Sequence, residues 1–293
     1  MKPTRIPTDK DLEPRLPVPR SIKPRHEHGQ NFLTRGSVLD REIDYAGVTP
    51  EDHVLEIGPG IGHLTERLAA KAWHVTAIEL DEQFRPLLDD LRRRHDNVDV
   101  LWGNAVTLPF PSFTRVVANL PYSVSLPLIF KLLDHDFTAG VLVIQERLAR
   151  RLAAKPGQPG YSRISVLAQQ TATLQVMEVV KARDFQPEPE VDSAMLRLRR
   201  HRPRYVIDDR EYFRRFLDTV FLRRTLPLRQ ALPDIPAKLL ADAGPKLVEA
   251  TPPEEFAKLA NALHAAGIKI PEVPEEIKRK AQKLIPQPRP VRR

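Results

Sequence analysis

The chain has 293 residues, 41% of them hydrophobic, enough to bury one large core or two smaller ones. Cysteine is absent and no apolar run of about 18 residues occurs, which excludes a disulfide framework, a thiolate metal site and a membrane-spanning helix. The net charge is +8 with a sequence pI near 9.7, so a polyanionic partner is expected.

The excess charge lies at the ends. Residues 1–28 carry a net +3 and residues 269–293 a net +5, which leaves the stretch between them neutral. Residues 1–28 read as a basic, proline-rich tail, with Pro3, Pro7, Pro14, Pro17, Pro19 and Pro24 among charges. No signal peptide or transit peptide is expected there, and the protein is expected in the cytoplasm. His26 and His28 stand in polar surroundings without further ligands, so no metal site is expected. Order is expected to begin at Gly29-Gln30-Asn31-Phe32-Leu33. Ser37 reads as the N-cap of a helix that ends at Gly47.

An apolar strand, Val54 to Ile57, then enters the loop Gly58-Pro59-Gly60-Ile61-Gly62, and a helix follows from Leu64 to Ala70. Glycines let a ligand approach the backbone. A second strand, Val75 to Ile78, ends at Glu79, where nucleotide-binding folds hold a ribose diol. His63 replaces the third glycine of a dinucleotide fingerprint, which disfavours a nicotinamide oxidoreductase. A helix from Phe84 to Leu91, a strand Val98 to Trp102 and then Gly103-Asn104 come next.

The fourth strand, Val116 to Ala118, leads into Asn119-Leu120-Pro121-Tyr122. Pro121 cannot donate to a ladder, so the chain must leave the sheet there with the Leu120 carbonyl free. An amide oxygen, a carbonyl and an aromatic ring then arrive together, a set suited to gripping a flat base that bears an amino group. The tetrapeptide alone reads first as a polar strand-end turn before a proline-started helix; its place after a glycine loop and Glu79 favours the clamp. A helix (Leu126 to Leu133), a strand (Val141 to Ile144) and a basic helix opening at Gln145 follow. Strand candidates Leu174 to Val180 and Ala194 to Leu198 have no helix between them and are expected to pair as an antiparallel hairpin closing the sheet. The strand–helix alternation implies a parallel sheet covered on both faces. Beyond residue 203 the pattern is helical to about Gly267, with Tyr212, Phe213, Phe216, Leu217 and Val220 at helical spacing.

Taken together, these motifs resemble the small-subunit ribosomal RNA adenine N6,N6-dimethyltransferases of the KsgA type. The resemblance runs collinearly over residues 29 to 265 through Gly29 to Leu33, Glu56 to Gly60, Ile78 to Asp81, Asn119 to Tyr122, Tyr161 to Val166 and Phe185 to Ala194. It implies an α/β fold: a Rossmann-like S-adenosylmethionine-dependent methyltransferase domain (29–203) and a small C-terminal α-helical RNA-binding domain (204–267); the two basic, proline-rich tails (1–28, 268–293) fall outside it. It implies that Gln30, Asn31 and Leu33 border the cofactor, that Gly58 and Gly60 approach its methionine part, and that Glu79 holds the ribose. Asn104 stands where the family has an aspartate at the cofactor's adenine; its amide oxygen can still accept, without charge, so weaker cofactor binding is expected. Asn119, which also borders the cofactor, and Leu120 would grip the target amino group, with Tyr122 and Phe185 on the two faces of the base.

The partner implied is small-subunit ribosomal RNA, or a precursor of the small subunit, bound by a monomer. Its phosphates are expected on one stripe, Arg147, Arg150, Arg151, Lys155 and Arg163, and on a second, Arg223, Arg224 and Arg229. Two alternatives stay open: a large-subunit methyltransferase of the macrolide-resistance type, and a non-catalytic ribosome-assembly factor.

Overall fold

The computed structural model describes residues 13–25, 29–241 and 243–277. The distal parts of both tails and the His26/His28 pair lie outside the described residues. The described residues form two compact units, one drawn from residues 1–146 and 175–200, the other from residues 147–174 and 201–293.

In the first unit, apolar runs become strands and the amphipathic runs between them become helices. In chain order these are β1 (Phe32–Leu33), α1 (Gly36–Ala46), β2 (His53–Ile57), α2 (His63–Ala69), β3 (His74–Glu79), α3 (Arg85–Arg94), β4 (Val98–Trp102), β5 (Arg115–Asn119), α4 (Ser125–Leu133) and β6 (Ala139–Gln145). The helices α5 (Glu146–Ala153) and α6 (Arg163–Gln169) precede β7 (Ala172–Val180), β8 (Phe185–Gln186) and β9 (Ser193–Arg200). The seven-stranded sheet has the order β4-β3-β2-β5-β6-β9-β7, and β1 pairs with β8 in a separate ribbon. Strands β4 to β6 pair in parallel, while β9 runs antiparallel to β6. The chain builds outward from β2 to β4, then returns to place β5 on the other side of β2. That reversal opens a crevice beyond the C-terminal ends of β2 and β5, the place where open α/β sheets bind ligands. Gly140 permits the tight β5–β6 contact, since a Cβ there would lie 2.3 Å from the Val116 side chain.

Two local expectations are corrected. Residues 13–25 are not a free tail. Leu16 packs on the core under α1, and Val18 and Ile22 lie against the Phe32, Phe84 and Leu88 cluster. The Leu16 N–H donates to the Thr34 carbonyl at 2.7 Å. Proline-rich composition excludes helix, but an extended strap can still bury its few apolar side chains. Nor is Ser37 an N-cap: α1 starts at Gly36, and the Ser37 N–H donates at 3.1 Å to the Glu13 carboxylate of the strap. Hydrogen bonds from Ser37 hold the Glu13 carboxyl below its ordinary range. A cap supplied from 24 residues upstream has no local signature.

The second unit contains residues 147–174, α7 (Arg210–Val220) and α8 (Pro253–Ala265). Its core gathers Tyr161, Val166, Phe213, Phe216, Val220, Phe256 and Leu263. The Tyr161 hydroxyl donates to the Thr251 carbonyl at 2.9 Å, and Arg163 pairs with the buried Asp218 at 2.6 Å. Residues 147–174 were expected within the methyltransferase domain; they group instead with the C-terminal helices because Tyr161 and Val166 bury themselves among those helices' phenylalanines. No helix among the described residues is long and apolar enough to cross a membrane.

Candidate active site

A cleft opens at the ends of β2 and β5. Gln30, Asn31, Leu33, Gly58, Gly60, Glu79, Asn104, Asn119, Leu120, Tyr122 and Phe185 all line it, so every residue assigned to cofactor or target base is brought to one place. The basic residues are not part of it; they belong to the second unit.

The glycine loop forms one wall. Gly60 adopts a left-handed φ of +55°, and a Cβ there would press on the Phe32 ring at 3.2 Å. Its N–H donates to Glu79 Oε2 at 3.0 Å, and Glu79 Oε1 accepts the N–H groups of Leu80 and Asp81, both at 2.8 Å. Burial pushes the Glu79 carboxyl up, and the three backbone donors oppose that rise. Three bonds leave the carboxylate room for another donor, such as a hydroxyl. Gln30 lines the cleft, but its amide is engaged beside it: Nε2 donates to Asp81 at 2.8 Å, and Oε1 accepts the Arg25 N–H at 2.9 Å. Arg25 also pairs with Asp81 at 3.4 Å, so the strap is tied to the strand end that carries Glu79.

Asn104 has a second duty besides lining the cleft. Its Oδ1 accepts the Val106 N–H at 2.9 Å, closing a turn. One lone pair of the oxygen expected to meet an adenine is thus used and one is left, while the other end of the amide is a donor. An aspartate would keep the turn with one oxygen and offer the second, charged, to the cleft. Asn104→Asp is expected to tighten S-adenosylmethionine binding roughly tenfold in titration calorimetry, the difference between a neutral and a charge-assisted bond; unchanged affinity counts against a cofactor role for this position.

The second wall is the tetrapeptide after β5. Asn119 Oδ1 is buried with no hydrogen-bond partner, and no described residue donates to the Leu120 carbonyl. The Tyr122 ring is pinned through its hydroxyl, 2.7 Å from Ser193 Oγ, and burial raises its pKa, so it stays a phenol. Phe185 is 3% exposed and packs with the core in β8, opposite Leu33 of β1. It therefore forms wall rather than a free-standing ring. Sequence reasoning missed Ser193 as the anchor of Tyr122, although the segment containing it was recognised.

It also missed the carboxyl of Glu56 in β2. Burial, with Glu79 nearby, pushes this group up to about 8, while Thr65 opposes the rise. A carboxyl whose folded pKa is raised stabilises the fold most at acid pH; that contribution fades as pH climbs from the unfolded value of about 4.5 through 8. Glu56→Gln should therefore melt higher than the parent above about pH 8 by a few kcal/mol, and show little difference near pH 5. Thermal melts at the two pH values check this.

In the second unit the two expected arginine stripes meet. Arg151 is pushed down to about 10 by burial and by the charges of Arg147, Arg163 and Arg224, and its Nε is buried without a partner. Arg224 pairs with Glu249 at 2.8 Å, and Arg223 donates to the Ala231 carbonyl at 3.1 Å. Arg147, Lys155, Arg223 and Arg229 are exposed.

Residues 22–264 match the family model described as ribosomal RNA adenine dimethylase. Two similar curated proteins are named probable ribosomal RNA small subunit methyltransferase A. The one from Methanococcus maripaludis is 36% identical, over 80% of this chain and 96% of its own; the one from Methanosarcina mazei is 39% identical, over 80% and 91%. Among solved structures, a dimethyladenosine transferase from Plasmodium falciparum superposes with a TM-score of 0.73 at 25% identity, covering 82% of this chain and 99% of that one. The 23S rRNA methyltransferase ErmE gives 0.64 at 26%, covering 80% and 100%. The match spans both units and every wall of the cleft, and by it the chain belongs to the ribosomal RNA adenine dimethylase family.

Proposed function

We propose that this protein, a ribosomal RNA adenine methyltransferase, dimethylates N6 of adenine in small-subunit ribosomal RNA during subunit assembly, acting as a monomer in the cytoplasm. The observation that carries this reading is a pair of acceptors to which no described residue donates, Asn119 Oδ1 and the Leu120 carbonyl, on two residues that line the cleft with Glu79 and the glycine loop. A buried acceptor left without a donor costs about 1–3 kcal/mol, a cost that a ligand with two N–H groups recovers.

The methyl donor of the family is S-adenosylmethionine, which when bound supplies an electrophilic methyl group on a sulfonium. The residues present fit it: Glu79 retains accepting capacity for ribose hydroxyls, Gly58 and Gly60 let the methionine part approach, and Asn31 and Leu33 border it. An adenine amino nitrogen is a poor nucleophile because its lone pair is delocalised into the ring. Hydrogen bonds from its two N–H groups to Asn119 and Leu120 favour a pyramidal nitrogen with that pair available. Tyr122, held by Ser193, presents its ring to the base, and Phe185 backs the opposite wall. Asn119 cannot take the proton and need not: the nitrogen becomes acidic only once its new bond has formed, and the proton then passes to solvent water; in the second round the single remaining N–H uses one of the two acceptors. Positioning and fixed dipoles carry the rate. Arg147, Arg150, Arg151 and Lys155, with Arg223, Arg224 and Arg229, supply phosphate contacts.

The test uses labelled S-adenosylmethionine with undermethylated small subunits and, separately, large subunits, followed by digestion to nucleosides. Labelled N6,N6-dimethyladenosine from small subunits is the expected product. Label from large subunits alone overturns the substrate, and tight binding without label from either favours an assembly factor.

A further inference from the structure

Behind Asn119 stands a group that the mechanism above does not use. Glu42 lies on the face of α1 that packs against β5 and β6, and it is fully buried. Neither of its carboxyl oxygens has a hydrogen-bond partner among the described residues, and the nearby Asn119 Oδ1 has none either. An apolar side chain at this position would pack α1 onto the sheet without the desolvation cost of a carboxyl.

What Glu42 can do follows from what it faces. The two ends of an asparagine amide have nearly the same shape, so packing alone does not decide which one meets the cleft. A donor end facing an adenine amino group would repel it; an acceptor end grips it. A carboxylate behind the amide breaks the tie, because it can only accept. We propose that Glu42 is a positioning residue for the amino-group clamp: once ionised, its carboxylate takes the Asn119 amide N–H, turning the amide over from the orientation in which Oδ1 is buried and unpaired, and so presents Oδ1 to the cleft. This rests on the methyltransferase reading of the cleft.

The arrangement makes the clamp sensitive to pH. A neutral Glu42 can donate its own proton to Oδ1 and occupy the acceptor that the substrate needs; an ionised Glu42 cannot. Burial, together with the Glu56 charge from β2, drives the Glu42 carboxyl well above its ordinary range, while Asn119 from β5 opposes that rise. Glu79 of β3 acts in turn on Glu56. No charged group of α2, β6 or β9 among the described residues bears on Glu42. Methyl transfer is therefore expected to rise with pH through the titration of Glu42, at fixed cofactor and RNA saturation.

Glu42→Gln keeps the size but can donate to Oδ1 as readily as it accepts from the amide. The expected result is a kcat reduced by roughly tenfold or more, with cofactor Kd and KM for small subunits within about twofold of the parent and the alkaline rise in kcat lost. A variant with parental kcat and the same pH profile overturns the proposal. Should Glu42→Gln fail to fold, the side-chain amide resonance of Asn119 in 15N-labelled parent protein carries the test. It is expected to shift with the ionisation of Glu42, and a resonance that stays fixed from acid pH up to the alkaline limit of folding overturns the proposal. Parent protein inactive on small subunits would sink the function reading, while the amide resonance would still judge Glu42.

Discussion

Asn119→Ala is expected to lower the single-turnover methylation rate by a hundredfold to a thousandfold, the usual effect of deleting one preorganised polar group from a reacting centre (about 10²–10³). At acid pH, where Glu42 is neutral, the melting temperature should stay within a few degrees of the parent. Among the described residues Oδ1 makes no hydrogen bond, so its removal breaks none and relieves the desolvation of an unpaired buried acceptor; at alkaline pH an ionised Glu42 loses the amide N–H and the melt should fall. Inactivity with an intact melt separates loss of the clamp from loss of the fold. Cofactor affinity should fall far less than the rate, because Glu79 and the glycine loop remain. A variant within about tenfold of the parental rate would mean that the amino group is activated elsewhere in the cleft.

Glu79→Ala should act on the other ligand. The parent carboxylate accepts three backbone N–H groups and has capacity left for ribose hydroxyls. Two charge-assisted bonds at about 1.5–3 kcal/mol each correspond to a loss of cofactor affinity of at least a hundredfold. The same change strips the acceptor from Gly60, Leu80 and Asp81, which loosens the glycine loop and costs stability by about 1–3 kcal/mol for each N–H that water does not reach. Calorimetric titration with S-adenosylmethionine and a thermal melt read the two effects separately. Weakened melting with unchanged affinity would assign Glu79 to holding the loop alone.

The paired readouts matter because several site residues serve both the fold and the chemistry. Gln30 lines the cleft yet commits its amide to Asp81 and Arg25. Phe185 was expected to face a base and is instead largely packed into the core. Asn104 was expected to offer an oxygen that the structure shows closing a turn. In each case the residue was legible and its contacts were not, because those contacts depend on neighbours that no local pattern names.

The amino-acid sequence by itself determined the strand–helix alternation, the glycine loop, the acid at the end of β3 and the tetrapeptide at the end of β5. These are local properties: alternation of apolar and polar residues, glycine's tolerance of positive φ and proline's missing N–H act within a few residues. Tertiary structure alone decided what stands against what. The return of the chain past β2 set Asn119 at the same crevice as Gly60. Burial of Tyr161 and Val166 drew residues 147–174 into the helical unit, and a few apolar side chains turned proline-rich text into a packed strap. Packing of α1 on the sheet placed Glu42 behind Asn119, 77 positions away in the chain. Periodicity shows that a face is buried but not its partner, since the partner is chosen by packing between residues far apart in the chain.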